Sequence, residues 1–586
     1  MDSDQEPKIT EGQSKNSQSI LPKDAFSYAL ALHKSGNLAQ AQAIYEQILA
    51  AEPLNAKVLN SLGLLQSQKG KKKEAIRLIY TALRVEPKNA IYLNDLGNIY
   101  FSLRHFDGAI KCYKKALKIN HNLVDTHFNL GQAFTEKGML QEALASFGDA
   151  LITNRKYPRA YVAIGNLLQK LGLLDEAIAY YQQCLLIVPN FFDVLTSLGK
   201  AYVQKGDLAL AQSTYERALE INPNSTEVMS NLGSVFYEQG RLDSALAFCR
   251  EAVKLDQNLP EPYINLGFIF SQQGQNQEAI SCYSQALKKD PKSVKGLLGL
   301  GEIFAKQSQW EEAIKIYQRI LKIDPYSSEA RVNLGIALRK VGDVEGAISQ
   351  FEQVRTIDYQ NVKAYAYLGL ALQDLNRTEE ALSIFDYAGL VAKYHLTNVP
   401  KWESLSAYNA ELKNLIYNYP TLQKNRLGKP INNGYETYEI FNDSSELIAA
   451  LTEIINTHIR DYFSNWLYNS ASPFFRQIPT GWKLSGSAIV LEPEGFQTEH
   501  IHPEGFISGV YYIQIPDNLR DNNHGEGYLN FGNLFSHLPA EEKIEKYAVK
   551  PEEGLLVLFP SYFWHSTIPL KGDRDLIWLS FNVIPG

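Results

Sequence analysis

The chain has 586 residues, 45% of them apolar and 21% charged, with a formal net charge of −7. That length is too great for one ordinary core, and the composition is that of a globular protein with two or more domains. The acidic balance disfavours nucleic acid as a partner. No stretch reaches the roughly 18 consecutive apolar residues of a membrane span, and the opening Met1-Asp-Ser-Asp-Gln-Glu-Pro lacks the order of a signal peptide.

Four cysteines, Cys112, Cys184, Cys249 and Cys282, fall in the first two thirds, none in a CxxC pair. They are expected to be small buried hydrophobes in a reducing compartment, which points to the cytoplasm.

Residues 1–21 are polar and aperiodic, and a disordered tail is expected there. From residue 22 to about 395 the chain repeats every 34 residues. Glycine recurs from Gly63 through Gly97 and Gly131 to Gly369, and alanine twelve residues later, from Ala75 to Ala381. An aromatic commonly follows that alanine by four, as at Tyr113, Phe147, Tyr181 and Phe385. Proline closes many units, as at Pro53, Pro87 and Pro325. Small residues allow two helices to approach, the aromatic is expected to fill the space between units, and proline ends the second helix. A unit of this kind buries its apolar face only against its neighbours, so many must stack.

About eleven such units are present, and they resemble the tetratricopeptide repeat. The resemblance implies an all-α superhelix whose groove binds a peptide or protein segment. Asn129, Asn231, Asn265 and Asn333 recur at one position of the repeat. They are similar to the asparagine row that holds peptide backbone in the repeat part of O-GlcNAc transferase. Ser61, Asp95, Ala163 and Ser197 interrupt the row.

The period stops after Ala388. Residues 396–430 read as a connecting segment, with a helix over Glu403–Tyr417 followed by Pro420 and a turn-rich run to Gly434. Residues 431–586 form a second domain. Tyr435–Phe441 alternates as a strand does, and a capped helix runs to about Trp466. Short strand-like runs follow at Trp482–Glu492, Ser508–Ile515, Gly527–Phe531, Lys546–Lys550, Leu555–Phe559 and Leu576–Ile584. Many short strands separated by turn residues predict a β sandwich or jelly roll.

The chemistry lies in this domain. His500 and His502, two apart, point to the same side of an extended chain. His565 lies on a distant run, and Arg574 follows it by nine positions. Two close ligands and one distant ligand make a facial triad that leaves three metal positions open. Arg574 is suited to a carboxylate, because a guanidinium fork matches it with two bonds. Against this, a histidine pair alone is weak evidence. His524, His537 and His458 read as loop or structural residues, and Trp564 as packing.

The segments His500-Ile-His-Pro, Ser508-Gly-Val-Tyr-Tyr512, Gly527-Tyr-Leu-Asn-Phe531, Gly554-Leu-Leu-Val-Leu-Phe-Pro and Ser580-Phe-Asn582 resemble the 2-oxoglutarate/Fe(II) oxygenase family related to prolyl hydroxylases. The likeness covers about residues 395–586. It implies a double-stranded β-helix that uses Fe(II), 2-oxoglutarate and dioxygen. His500, His502 and His565 would then be the iron ligands, and Arg574 and Tyr512 would hold the distal carboxylate of 2-oxoglutarate. The expected activity is hydroxylation of a protein or peptide recruited by the repeats. One position departs from the pattern: His502 stands where most such oxygenases have Asp or Glu. A repeat scaffold with a non-catalytic or 2-oxoglutarate-independent cupin-like metal domain is the competing reading. A glycosyltransferase is set aside, because the C-terminal part is too short for two nucleotide-binding α/β lobes. Oligomeric state is left open.

Overall fold

A computed structural model describes residues 25–425, 430–437, 439–467, 473–520, 525–532, 547–571 and 574–586. The tail expected over 1–21, part of the connecting segment, His524 and His537 lie outside the described residues. The chain divides into two compact units, Met1–Asn265 and Leu266–Gly586.

The first unit is built of helix pairs, from Ala25–Lys34 with Leu38–Ala51 to Thr226–Glu238 with Leu242–Leu255. Including the second unit, eleven pairs follow one another, ending with Val362–Asp374 and Thr378–Ile384. Each repeated glycine sits on the first helix of its pair, and most face the aromatic of the second; Gly63 faces Ile79 and Gly233 faces Cys249 instead. A Cβ placed on Gly97 would lie 2.4 Å from Cε1 of Tyr113. The aromatic ring packs against the glycine of its own unit and also reaches the next unit, as expected: Tyr283 lies against Gly299, and Phe351 stacks on Tyr367 at 6.2 Å. The ring needs the volume a side chain would take, which explains the fixed spacing from Gly97 to Tyr113 and from Gly165 to Tyr181. The repeated alanines Ala75, Ala109 and Ala143 are wholly buried beside these rings. A second glycine series marks the turn within each pair. Gly70 has φ +80° there, and Arg104 occupies the equivalent turn at φ 57°. This is the left-handed region that only glycine adopts without penalty.

The second unit continues the pairs and ends in β structure. Its strands are β1 (Ala392–His395), β2 (Gln423–Lys424), β3 (Ile431–Glu436), β4 (Trp482–Gln497), β5 (Ile507–Gln514), β6 (Leu529–Phe531), β7 (Tyr547–Val549), β8 (Leu555–Pro560), β9 (His565–Thr567) and β10 (Leu576–Pro585). A seven-stranded antiparallel sheet has the order β1-β8-β5-β10-β4-β3-β2, and a three-stranded sheet the order β7-β6-β9. β4 belongs to both layers. Its first part pairs with β10, from Trp482 opposite Pro585 to Leu491 opposite Leu576. The chain then bends at Glu494, where φ is 68°. Beyond the bend, Glu494 N–H donates to Leu570 O and Leu570 N–H to Gly495 O. The strand thus crosses to the small sheet and closes a double-stranded β-helix.

The strand expected over Tyr435–Phe441 lies instead at Ile431–Glu436, largely within the run read as turn-rich, and a short 3-10 turn covers Ile440–Asn442. Thr437 ends it by turning its hydroxyl inward to accept the Ala488 N–H at 2.8 Å. The connecting segment adds helix Leu405–Tyr417, and a long helix Glu446–Leu467 follows. Tyr511 of β5 donates its hydroxyl to Asn409 on the first of these helices at 2.8 Å. Alternation then turns Tyr512 to the opposite face of the strand, inside the β-helix.

Packing does not stop where the repeats end. One continuous apolar core runs from Ala347 to Val583. The run Tyr562-Phe-Trp564, between β8 and β9, lies against the last repeats. Tyr562 stacks on Tyr365 at 5.2 Å and Phe563 meets Tyr387 at 4.8 Å. Trp564 Nε1–H donates to Ala366 O at 3.3 Å, and Tyr562 O–H to Ile384 O at 3.2 Å.

This packing makes two testable demands. Gly97→Ala should destabilise the array by about 1–3 kcal/mol through overpacking, and Gly70→Ala by about 1–2 kcal/mol through backbone strain alone. Urea unfolding followed by circular dichroism measures both, and an unchanged midpoint for Gly97→Ala would contradict the packing described. A fragment of residues 396–586 should bind a hydrophobic dye or aggregate, because it uncovers Tyr562, Phe563 and Trp564. A monomeric fragment with a cooperative melt would show that the last repeats are dispensable to the β domain.

Candidate metal centre

His500 and His502 follow the end of β4, and His565 opens β9. His500 and His565 stand opposite each other in an antiparallel bridge. His500 N–H donates to His565 O at 3.0 Å, and His565 N–H to His500 O at 3.1 Å. His502 is tied to the same region, with its N–H donating to Ser561 O at 3.1 Å. Backbone bonds alone therefore bring the three side chains together.

The rings converge. Their centroids lie 4.3 Å apart for His500 and His565, 5.0 Å for His502 and His565, and 5.1 Å for His500 and His502. One nitrogen from each lies within 4.8 Å of the others. His502 Nε2 and His565 Nε2 are 3.2 Å apart. Two nitrogens on adjacent positions of one ion, each bonded at about 2.1 Å, would be separated by about 3 Å. Among the described residues no other such cluster of His, Cys, Asp or Glu occurs.

The tautomers are set from outside. His565 Nδ1 lies 2.9 Å from Phe563 O, and His500 Nδ1 lies 2.7 Å from Thr498 O. A carbonyl only accepts, so each Nδ1 carries the proton and each Nε2 keeps its lone pair. Burial pushes the His565 imidazole well below its ordinary value, and neighbouring His500 and His502 push in the same direction. His565 is therefore neutral at neutral pH, as a metal ligand must be. Three imidazoles converging on one point, with His565 neutral, fit a borderline divalent transition metal such as iron.

Phe559 and Phe531 wall the site on one side, 4.9 and 6.1 Å from the His565 ring. Trp564 packs outward against the repeats, as expected. His458 lies on the long helix with its ring 4.5 Å from Tyr394, a packing role. Tyr512 is buried within the β-helix, its ring 6.3 Å from Trp578. Arg574 precedes β10 at the end of the sheet where Tyr512 sits. Its side chain is 64% exposed, and its guanidinium lies 2.8 Å from the Asp517 carboxylate. The structure thus brings the three histidines together and places Arg574 at the surface, already engaged by a carboxylate.

Two features were missed in the sequence reading. One is Tyr387, which lies where the period lapses. It is buried against Phe563 and Phe531. Its phenol is held above the ordinary range by burial, with Glu499, next to His500, adding to the effect. The other is the aromatic wall: Phe531 was visible as the last residue of the Gly527–Phe531 strand, but nothing in the sequence tied it to His565. In the repeats, the asparagine row makes bonds between units: Asn129 Nδ2 donates to Asn94 and Asn98, and Asn265 Nδ2 to Ser230.

Comparison with known proteins agrees with this arrangement. Residues 488–582 match the family described as "Putative 2OG-Fe(II) oxygenase". Residues 29–90, 97–138 and 332–393 match tetratricopeptide-repeat families, and residues 153–361 match the cilia and flagella-associated protein 70 C-terminal domain. No curated protein matches the chain. Among solved structures, MamA is similar at 25% identity over 28% of this chain and 95% of its own, with a TM-score of 0.27. Yeast Tom70 is similar at 13% identity over 62% of this chain and 98% of its own, with a TM-score of 0.39. A thermophilic TPR protein of Thermus thermophilus is similar at 25% identity over 31% of this chain and 99% of its own, with a TM-score of 0.28. The chain thus carries tetratricopeptide repeats followed by a β region that matches the 2-oxoglutarate/Fe(II) oxygenase family over residues 488–582.

The depressed His565 pKa has a consequence for stability. Below the ordinary histidine value the unfolded chain binds a proton that the folded chain refuses. Stability of the metal-free protein should therefore fall as pH drops from about 6.5, by at most about 1.4 kcal/mol per pH unit from this group. Urea midpoints between pH 7 and pH 5 in the presence of chelator measure it. His565→Gln should flatten the slope, and an unchanged slope would contradict the assignment.

Proposed function

We propose that the protein is an Fe(II)/2-oxoglutarate-dependent hydroxylase acting on a protein or peptide brought by its repeats. The observation that carries this reading is the convergence of His500, His502 and His565 within a double-stranded β-helix. The metal, when bound with 2-oxoglutarate and dioxygen, supplies hydroxylation of a C–H bond, with 2-oxoglutarate leaving as succinate and carbon dioxide. The chain's own residues do the rest. His500, His502 and His565 would hold the ion and leave other positions open to co-substrates. Phe531 and Phe559 keep water from that side of His565. Arg574, paired with Asp517, would hold the distal carboxylate of 2-oxoglutarate, and Tyr512, inside the β-helix, would add a hydroxyl. Pro, Asn, Asp or Lys side chains are the expected targets. The cytoplasm as compartment belongs to the same reading, supported by four cysteines that are all free thiols.

Two observations favour a second reading. The ligand set carries no carboxylate, and Arg574 is paired at the surface. Both suit a repeat scaffold whose metal domain does not use 2-oxoglutarate, as in three-histidine cupin sites.

Succinate release in the presence of Fe(II) and ascorbate separates the two. The hydroxylase reading expects succinate from the intact chain and none from His565→Ala. It also expects Arg574→Ala to need about tenfold more 2-oxoglutarate for half-maximal turnover. Succinate formation undiminished in His565→Ala would end that reading, and no succinate under any metal would favour the scaffold.

A further inference from the structure

The first three repeats differ electrically from the rest of the chain. Residues 25–120 hold 14 Lys and Arg against six Asp and Glu, a net of +8, in a chain whose total is −7. Everything outside this stretch therefore sums to −15. A basic end on an acidic protein attracts acidic surface, and the field acts beyond contact distance, over about 8–10 Å at moderate salt.

A cavity of about 530 Å³ opens within this basic end, bounded by the first helices of three successive repeats. Lys34, His33 and Lys72 line it, and among the described residues no carboxylate does. Lys34 is exposed. Lys72 reaches the Ser67 hydroxyl at 2.9 Å, a neutral partner that leaves its charge unbalanced there. Asp95 is the acidic residue one turn from the lining residue Asn98, and it is covered: Asn60 Nδ2 donates to its carboxylate at 2.7 Å.

The cavity also has features suited to a peptide backbone. The Asn98 amide oxygen already accepts from Tyr113 O–H at 2.8 Å and from Asn129 Nδ2 at 3.0 Å. What Asn98 presents to the cavity is therefore its Nδ2–H, a donor for a peptide carbonyl. Leu64 and Ile99 supply an apolar floor. Two ammonium groups, one amide donor and a short apolar patch match an extended segment with carboxylates and an aliphatic side chain.

We infer that this cavity docks an acidic, leucine- or isoleucine-containing segment of a partner protein. The cavity lies in the first compact unit, so the docking stands whether or not the histidine site turns over. It gives the repeats a defined charge preference: the partner is acidic, and binding weakens steeply with salt.

The test is fluorescence anisotropy on the full chain with a labelled Glu-rich peptide that has leucines interspersed. The comparison probes are the same peptide with Gln for each Glu, and a single-stranded oligonucleotide of equal charge. The Glu peptide is expected to bind and the Gln peptide not. Lys34→Glu combined with Lys72→Glu should weaken binding by about tenfold or more. The milder Lys34→Gln with Lys72→Gln should weaken it less, with the circular dichroism of the intact chain retained in both. Lys254→Glu, on a later repeat and outside the cavity, should change nothing. Equal binding of the Gln peptide, or unchanged affinity in the double Glu variant, would overturn the proposal. Tighter binding of the oligonucleotide that is lost in the same variant would also overturn it, making the cavity a general polyanion site.

Discussion

The two-residue bridge between His500 and His565 is the contact on which the rest of the second unit depends. It joins the end of the strand that crosses between sheets to the start of the strand that follows the aromatic run. Its two backbone hydrogen bonds fix where two imidazoles begin, before any metal is present. Everything around it serves to hold those two chain segments in register. The bend at Glu494 brings β4 over to the small sheet. The run Tyr562-Phe-Trp564 delivers His565, and its side chains are held by the last repeats. The repeats therefore do more than lie before the β domain in sequence: part of its core is theirs.

Much of this was legible in the sequence. Eleven helix pairs could be counted from the glycine and alanine series, because a fixed steric demand recurs every 34 residues. The three histidines could be singled out because a pair two apart and a distant partner is a spacing that metal geometry requires. The aromatic's part between units was legible, but its seat within its own unit was not. The sequence shows that Gly97 and Tyr113 keep their distance, but not that the ring lies against that glycine. β1, β2 and β9 went unread: they have two to four residues each and no run of flanking strand-like residues to extend them. The cover that Tyr365 and Tyr367 give to Tyr562 and Trp564 could not be read, since it is a contact between residues almost two hundred positions apart.

The histidine in place of a carboxylate alters the electrostatics of the centre. A carboxylate ligand would cancel one of the two charges of a divalent ion, and three imidazoles cancel none. The ion would then hold an anionic co-substrate more strongly by charge alone, which reduces what the protein must supply at its far end. That agrees with an Arg574 that rests on Asp517 at the surface and is not locked inside the β-helix. The same uncancelled charge raises the cost of assembling the site in a buried place. The depressed pKa of His565 and the carbonyls that orient His500 and His565 show how the fold meets that cost. They keep His565 neutral and aim His500 and His565.

The measurement that bears most directly on this account is an anaerobic optical titration of the intact chain with Fe(II) and then 2-oxoglutarate. A visible charge-transfer band that appears only with both, and is absent in His502→Ala, is the predicted result. It would place a 2-oxo acid on an ion held by the three histidines. Iron bound without any band would contradict the 2-oxoglutarate part of the account, and no iron bound by the intact chain would contradict the metal centre itself.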